Sequence, residues 1–134
     1  MTFAEARLIN RAMRAIKAVL HVKLLKPEYR EANKTNPLYG YCYIATEALY
    51  YMCAGACGFE PKRARDDNGV VHWWLENRQT PGLRIDVTSG QYTRAGRLPP
   101  YSRGVFGGFL TKQPSKRAQE VMRLAYAKIR KDTE

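Results

Sequence analysis

Two segments of the chain, near Val70–Glu76 and Leu83–Thr88, alternate apolar and polar side chains, and matching those alternations constrains the fold more tightly than any other feature. Successive side chains of an extended strand point to opposite faces. Val71, Trp73 and Leu75 therefore share one face, and His72, Trp74 and Glu76 the other. In the second segment Leu83, Ile85 and Val87 lie opposite Arg84, Asp86 and Thr88. With Asn77 to Pro81 as the loop, Val71 faces Val87, Trp73 faces Ile85 and Leu75 faces Leu83. One face is then wholly apolar. A slip of one residue destroys the match, so burial selects this register.

The same register sets His72 directly across from Asp86, with Cβ atoms about 4.5–5.5 Å apart. A carboxylate beside a histidine fixes its tautomer and stabilises the imidazolium. Trp74 falls across from Arg84, the spacing of a cation–π pair. Two readings of the His–Asp pair stand side by side. It is a cross-strand ion pair on a solvated face, or it is part of a reactive site that needs a third group.

Cys42 is the candidate third group. It follows "NPLYGY" and opens a helical pattern running from about Cys42 to Cys53, with Cys42, Ala45, Leu49 and Met52 on one face and Gly55 or Gly58 at the end. A helix start places partial positive charge and free N–H groups near a sulfur, which favours the nucleophilic thiolate. Gly40 allows a close approach or sharp turn just ahead. Asn36, six residues upstream, offers a side-chain amide for an oxyanion. The alternative for Cys42 is a small buried hydrophobe. Cys53 and Cys57 lie among Ala and Gly at the helix end and read as structural.

The remaining chain supplies a frame. Thr2 and Glu5 have the spacing of a capping box, and Phe3, Ala6, Ile9, Met13, Ile16, Leu20 and Leu24 recur at helical spacing, predicting a first helix that ends near Leu25. "KPEYREANKTNPLYG" reads as a loop with a helical turn around Glu28 to Ala32, and "EPKRARDDNG" as a charged turn. The segment from Thr93 to Gly108 is too rich in Gly and Pro for regular structure and is expected to line a cleft. Gln91, Trp74 and Tyr101 are the candidates for substrate contact, with Phe106 on the same loop. Ser115 is a good N-cap for a last helix with Ala118, Val121, Met122, Ala125 and Ile129 on its apolar stripe. The expectation is a single α+β domain over residues 1–134, with helices packed against a small antiparallel β-sheet. It has a basic N-terminal helix (2–25), a Cys–His–Asp core (36–92), then a loop and a basic C-terminal helix (93–131).

A Cys opening a helix, then a His on a strand, then an Asp on the next strand is the order found in papain-like and transglutaminase-like thiol enzymes. "GYCY" resembles the Gly-x-Cys-Trp stretch around the papain-type nucleophile. "HWWLENRQTPGLRIDVTS" resembles the transglutaminase-like His-x-Trp … Asp-x-Thr segment. Asn36 stands where that family keeps a Gln. The likeness covers roughly Asn36 to Gln91. It implies a papain-like or transglutaminase-like core with Cys42 as nucleophile, His72 as general base and acid, and Asp86 as orienter. It implies a hydrolase or acyltransferase that needs no cofactor and acts on the acyl or amide group of a protein or peptide. "GFLTKQPSKRA" together with the hairpin also resembles small phage and bacterial proteins.

Charge opens a competing line. The net charge is +11. Residues 1–34 carry eight basic and three acidic side chains, residues 35–92 five and six, and residues 93–134 ten and three. Basic ends around a near-neutral middle suit a polyanion, a nucleic acid or an acidic host protein, the last as an inhibitor or adaptor without catalysis. No helix-turn-helix, RNA-recognition or zinc-finger pattern accompanies them. Zinc on Cys53 and Cys57 with His72 or His21 shows one tight ligand pair where structural sites show two, so no metal is expected. No apolar run approaches a membrane span. Three cysteines without an export signal suggest reduced thiols in the cytoplasm of a bacterium or phage-infected cell.

Overall fold

The computed structural model describes residues 1–133. The protein is α+β. Among the described residues five α-helices accompany a four-stranded antiparallel sheet, in the spatial order Arg84–Ile85, Val71–Asn77, Phe59–Arg65, Val105–Phe106. Among the described residues no helix is long and apolar enough to cross a membrane.

Helix α1 (Phe3–Val19) opens with a reciprocal cap. Thr2 Oγ1 accepts from the Glu5 N–H at 3.1 Å, and Glu5 Oε1 accepts from the Thr2 N–H at 2.9 Å. Its buried line is Ile9, Ala12, Ala15 and Ile16, whereas Phe3 is exposed. The helix stops at Val19 rather than near Leu25. Leu20 turns extended, and a short 3-10 turn at Val22–Leu24 brings Leu24 and Leu25 into the core. Helix α2 (Pro27–Asn33) begins on a proline, whose missing N–H is not needed in the first turn. The buried Asn33 amide then donates to the carbonyls of Pro37 (2.9 Å) and Tyr39 (3.0 Å), curling the chain toward Gly40. Gly40 has φ +90°, and a Cβ there would sit 2.9 Å from a Leu25 methyl. Only glycine fits that corner. It delivers the chain directly into α3 (Cys42–Leu49).

Seven of the eight α3 residues are buried, as befits a helix surrounded on all sides. It packs against α1, α5 (Lys116–Thr133) and the sheet, then runs on through a π turn (Tyr50–Ala54) and a 3-10 turn (Gly55–Cys57). The buried Glu47 carboxylate accepts from the Ser115 N–H (3.2 Å) and hydroxyl (2.7 Å), and Ser115 Oγ accepts from the Ala118 N–H. That tie holds the start of α5 onto α3.

The charged segment after Gly58 is not all turn. Phe59–Arg65 is strand β1, an inner strand paired with β2 (Val71–Asn77) along its whole length. Only the residues beyond it turn, where Asp66 Oδ1 accepts the N–H groups of Asn68 (2.8 Å) and Val70 (3.0 Å). The charges of β1 are tolerated because they are paired. Lys62 meets Glu76 at 2.7 Å, Glu60 meets Arg78, and Arg63 lies over Trp73. The outer strands are only two residues long, β3 (Arg84–Ile85) beside β2 and β4 (Val105–Phe106) beside β1.

The β2–β3 register is slipped by two residues from the expected one. Leu75 faces Ile85 and Glu76 faces Arg84. Asn77 explains the slip. Its N–H donates to the Leu83 carbonyl at 2.9 Å, and its side-chain oxygen accepts from the N–H groups of Gln79 and Thr80, so the loop begins one residue later. A slip of two keeps each side chain on its face. Phe59, Leu75 and Val87 join Ile16, Ala45, Leu49 and Val121 in one apolar cluster, in which each of the larger side chains contributes about 1.5–3 kcal/mol. The opposite face carries His72, Trp74 and Glu76, and it is roofed by the chain from α4 (Gly90–Thr93) to Phe106. Gly104 makes that roof possible, since a Cβ there would lie 2.5 Å from the Trp74 ring.

Candidate active site

The short length of β3 creates the site. Beyond Leu75, β2 has no neighbour on that side, so its outward carbonyls at Trp73 and Val71 lack strand partners. Helix α3 fills the place. Thr46 donates its hydroxyl to the Trp73 carbonyl at 3.2 Å, and Cys42, one turn earlier, puts its thiol 3.6 Å from the Val71 carbonyl. Residues four apart on a helix thus meet carbonyls two apart on a strand. This brings the sulfur at the helix start to the sheet edge next to His72. The N-cap Tyr41 offers no side-chain bond to the first turn, where backbone N–H groups have no partner within the helix.

His72 is completely buried and carries three polar neighbours. Its Nε2 lies 2.6 Å from Asp86 Oδ2, and its Nδ1 lies 3.2 Å from the amide nitrogen of Gln91. Cys42, whose thiol lies 3.6 Å from the carbonyl of the preceding residue Val71, is the third neighbour, and its influence on the ring raises the His72 pKa. In the neutral ring, with Nε2–H donated to the carboxylate, Nδ1 accepts on the side of Gln91; in the imidazolium both nitrogens carry a proton. Burial alone would push the imidazole toward neutrality. The hydrogen bonds of Asp86 and Cys42 and their charges outweigh it, raising the His72 pKa to about 9.

The Asp86 side chain is 4% exposed. The pair is therefore enclosed, not solvated. Because of the slipped register Asp86 lies past the end of β3 and reaches His72 diagonally, not straight across. Two further groups hold it. The Tyr101 hydroxyl donates to Oδ2 at 2.7 Å, and the Thr88 N–H donates to Oδ1 at 3.2 Å. Burial and the adjacent carboxylate raise the pKa of Tyr101, which keeps it a donor. Trp74 stacks on His72 at 5.7 Å, and Tyr92 meets the ring edge-on at 4.8 Å.

Several residues singled out in the sequence take other places. Trp74 is fully buried, so it packs the imidazole and cannot touch a bound molecule. Its expected partner Arg84 lies over Tyr101 at 4.2 Å and 3.6 Å from Glu76. Tyr101 is committed to Asp86, away from the cleft. Asn36 donates its amide to the Gln91 backbone carbonyl at 2.6 Å, so it places Gln91 instead of facing the thiol. Phe106 sits by Lys62 and Arg78, in a separate depression. Gln91 does line the cleft with Cys42, and its side-chain oxygen is buried without a partner.

Two contributors were missed in the sequence. Tyr92 donates to Asp66 Oδ2 at 2.9 Å, and Arg97 lies 3.8 Å from the same oxygen. Asp66 thereby ties the β1–β2 turn to the roof over His72. The signal was present in "DDNG", a turn signature that closes a hairpin and so implies a strand on each side.

Burial, then the neighbouring Cys57, pushes Cys53 up to about 11. Burial and Glu5 raise Cys57. Among the described residues no three His, Cys, Asp or Glu side chains gather as a metal site would require. At the opposite end of the fold α1 and α5 lie side by side, and Arg7, Arg11, Arg14 and Lys128 line a groove between them.

Compared with protein-family models, with curated proteins and with solved structures, the chain matches none.

Proposed function

We propose that the protein is a thiol-dependent hydrolase or acyltransferase of papain-like or transglutaminase-like type, with Cys42, His72 and Asp86 as its triad. One observation carries this reading. An enclosed imidazole lies 2.6 Å from an aspartate, and a helix-start cysteine, its thiol 3.6 Å from the carbonyl of the residue just before that histidine, lines an open cleft. An enclosed ring kept as imidazolium up to about pH 9 is the partner a thiolate requires.

The chemistry then runs in two halves. The Cys42 sulfur adds to the acyl carbon of an amide or ester, and the carbonyl π pair moves onto oxygen. The free N–H groups at the start of α3 and the Gln91 amide receive that oxyanion. As the pair returns and the C–N or C–O bond breaks, His72 Nδ1–H protonates the leaving group. In the second half His72 takes a proton from water or an amine, which attacks the thioester and releases Cys42. Asp86, held by Tyr101, keeps the ring oriented throughout.

Alkylation of Cys42 with iodoacetamide as a function of pH tests the reading. Cys42 is expected to label at about pH 6 faster than free cysteine, and His72→Ala is expected to abolish the advantage. Labelling that follows free cysteine and is indifferent to His72→Ala would remove the enzyme reading. The basic groove of α1 and α5 favours a second reading, a binding protein for a polyanion or an acidic protein. Heparin retention that falls steeply with salt and persists in Cys42→Ala, with no accelerated labelling, is its signature.

A further inference from the structure

Resting on the thiol-enzyme reading, we propose that the acyl donor is an acidic peptide segment, selected by a ring of cations around the mouth of the Cys42 cleft. The cleft encloses about 740 Å³. Lys26, Arg65, Lys116 and Arg117 stand on its lining, and no Asp or Glu does. All four are exposed, and among the described residues none pairs with a carboxylate. Most cations of the sheet and its roof differ: Lys62, Arg78, Arg84, Arg97 and Arg103 each have an acidic partner and Arg63 lies over Trp73, while Arg94 has no acidic partner among the described residues.

The four cations come from distant parts of the chain, the entry to α2, the end of β1 and the start of α5. Local helix patterning therefore does not account for their meeting. One is also anchored, since Arg65 donates to the Gly69 carbonyl at 2.9 Å and keeps its remaining N–H groups for a ligand. Between the cations and the sulfur the walls are aromatic and apolar, including Tyr39, Tyr43, Ile44 and Trp73. Such walls suit peptide side chains, and the sulfur needs an acyl carbon, which a polynucleotide lacks. Carboxylates flanking the reacting amide would meet the ring at the mouth, and the acyl group would enter below it.

Reversible peptide aldehydes test this directly, since thiolate addition to the aldehyde carbon, with the imidazolium proton passing to oxygen, gives a hemithioacetal with no leaving group. Two matched N-acetyl tripeptide aldehydes, one with two Glu and one with two Lys before the same alanine aldehyde, are titrated as protection of Cys42 from iodoacetamide. The acidic one is expected to protect about tenfold better, with the ratio falling toward one in about 0.5 M salt. In Arg65→Gln/Lys116→Gln/Arg117→Gln, checked for an unchanged thermal transition, the ratio is also expected to approach one. Capture of both aldehydes with no charge preference, or a preference that survives the triple variant, overturns the acidic-peptide inference while leaving the thiol reading intact. Failure to capture either, with labelling indifferent to His72→Ala, removes both. Protection by a single-stranded oligonucleotide as effective as that by the acidic aldehyde assigns the ring to nucleic acid and also overturns it.

Discussion

The two faces of strand β2 show how one stretch of chain can serve stability and chemistry by different physics. On one face Leu75 is packed with Phe59, Ile85 and Val87 against helices, and the energy is that of apolar area removed from water. On the other, His72, Trp74 and Glu76 are just as deeply enclosed, yet hydrogen bonds and ion pairs hold His72 and Glu76, and Trp74 is held by packing on His72 and Tyr101. The apolar face is cheap to build and tolerant of exact partner. The polar face is stable only when its charged groups have their partners, because an orphaned buried charge costs several kcal/mol. The lesson is that the His72–Asp86 pair of the candidate site lies where the energy depends on specific partners, and that such a face responds to pH where the other does not.

Truncation separates the faces most strongly. Leu75→Ala leaves a cavity on the apolar side and is expected to cost about 2–5 kcal/mol in urea unfolding, with little change in the pH dependence of stability. Next in size is the pH effect itself. The folded pKa of His72 is raised from 6.5 to about 9, so the native state binds the proton more tightly than the unfolded chain. Its stabilisation is fully present below about pH 6.5 and is lost as pH rises through about 9, a change on the order of 3 kcal/mol. Urea midpoints measured from pH 6 to 10 should fall through this window in the wild type and stay flatter in His72→Gln. A flat wild-type curve would break the contrast between the faces.

Asp86→Asn keeps a side chain of the same shape but removes the charge behind the ring. It is expected to slow Cys42 labelling at about pH 6 by roughly a hundredfold. Tyr101→Phe removes one bond to Asp86 and is expected to cost about fivefold in the same assay, close to 1 kcal/mol. Arg84→Gln should matter least. Its guanidinium is more than a third exposed and only 3.6 Å from Glu76, so a loss below about 0.5 kcal/mol in stability is expected. An Arg84 effect as large as that of Tyr101 would show that the roof, not the buried bonds, sets the site.

Much of the site was legible in the residues. Alternation alone placed His72 and Asp86 on the same side of paired strands, and that inference tolerated a register error of two because parity was preserved. The pattern after Gly40 located a helix starting on Cys42. Strand β1 was not legible, because Lys62 and Arg63 look like part of a solvated turn until their partners Glu76 and Trp73 are in place. Asn36 was misjudged for a similar reason. Six residues of separation from Cys42 said nothing about its amide turning to a carbonyl 55 positions away.

By itself the sequence determined what short-range sterics and periodicity control: the helix starts, the turn at Gly40, and which side of each strand is apolar. Tertiary structure decided the rest. A two-residue β3 left the carbonyls of Val71 and Trp73 open, and only the packing of α3 onto that edge put sulfur, imidazole and carboxylate in one place. Contacts such as Cys42 to Val71 and Thr46 to Trp73, 29 and 27 positions apart, depend on where whole elements dock, and no local pattern encodes that.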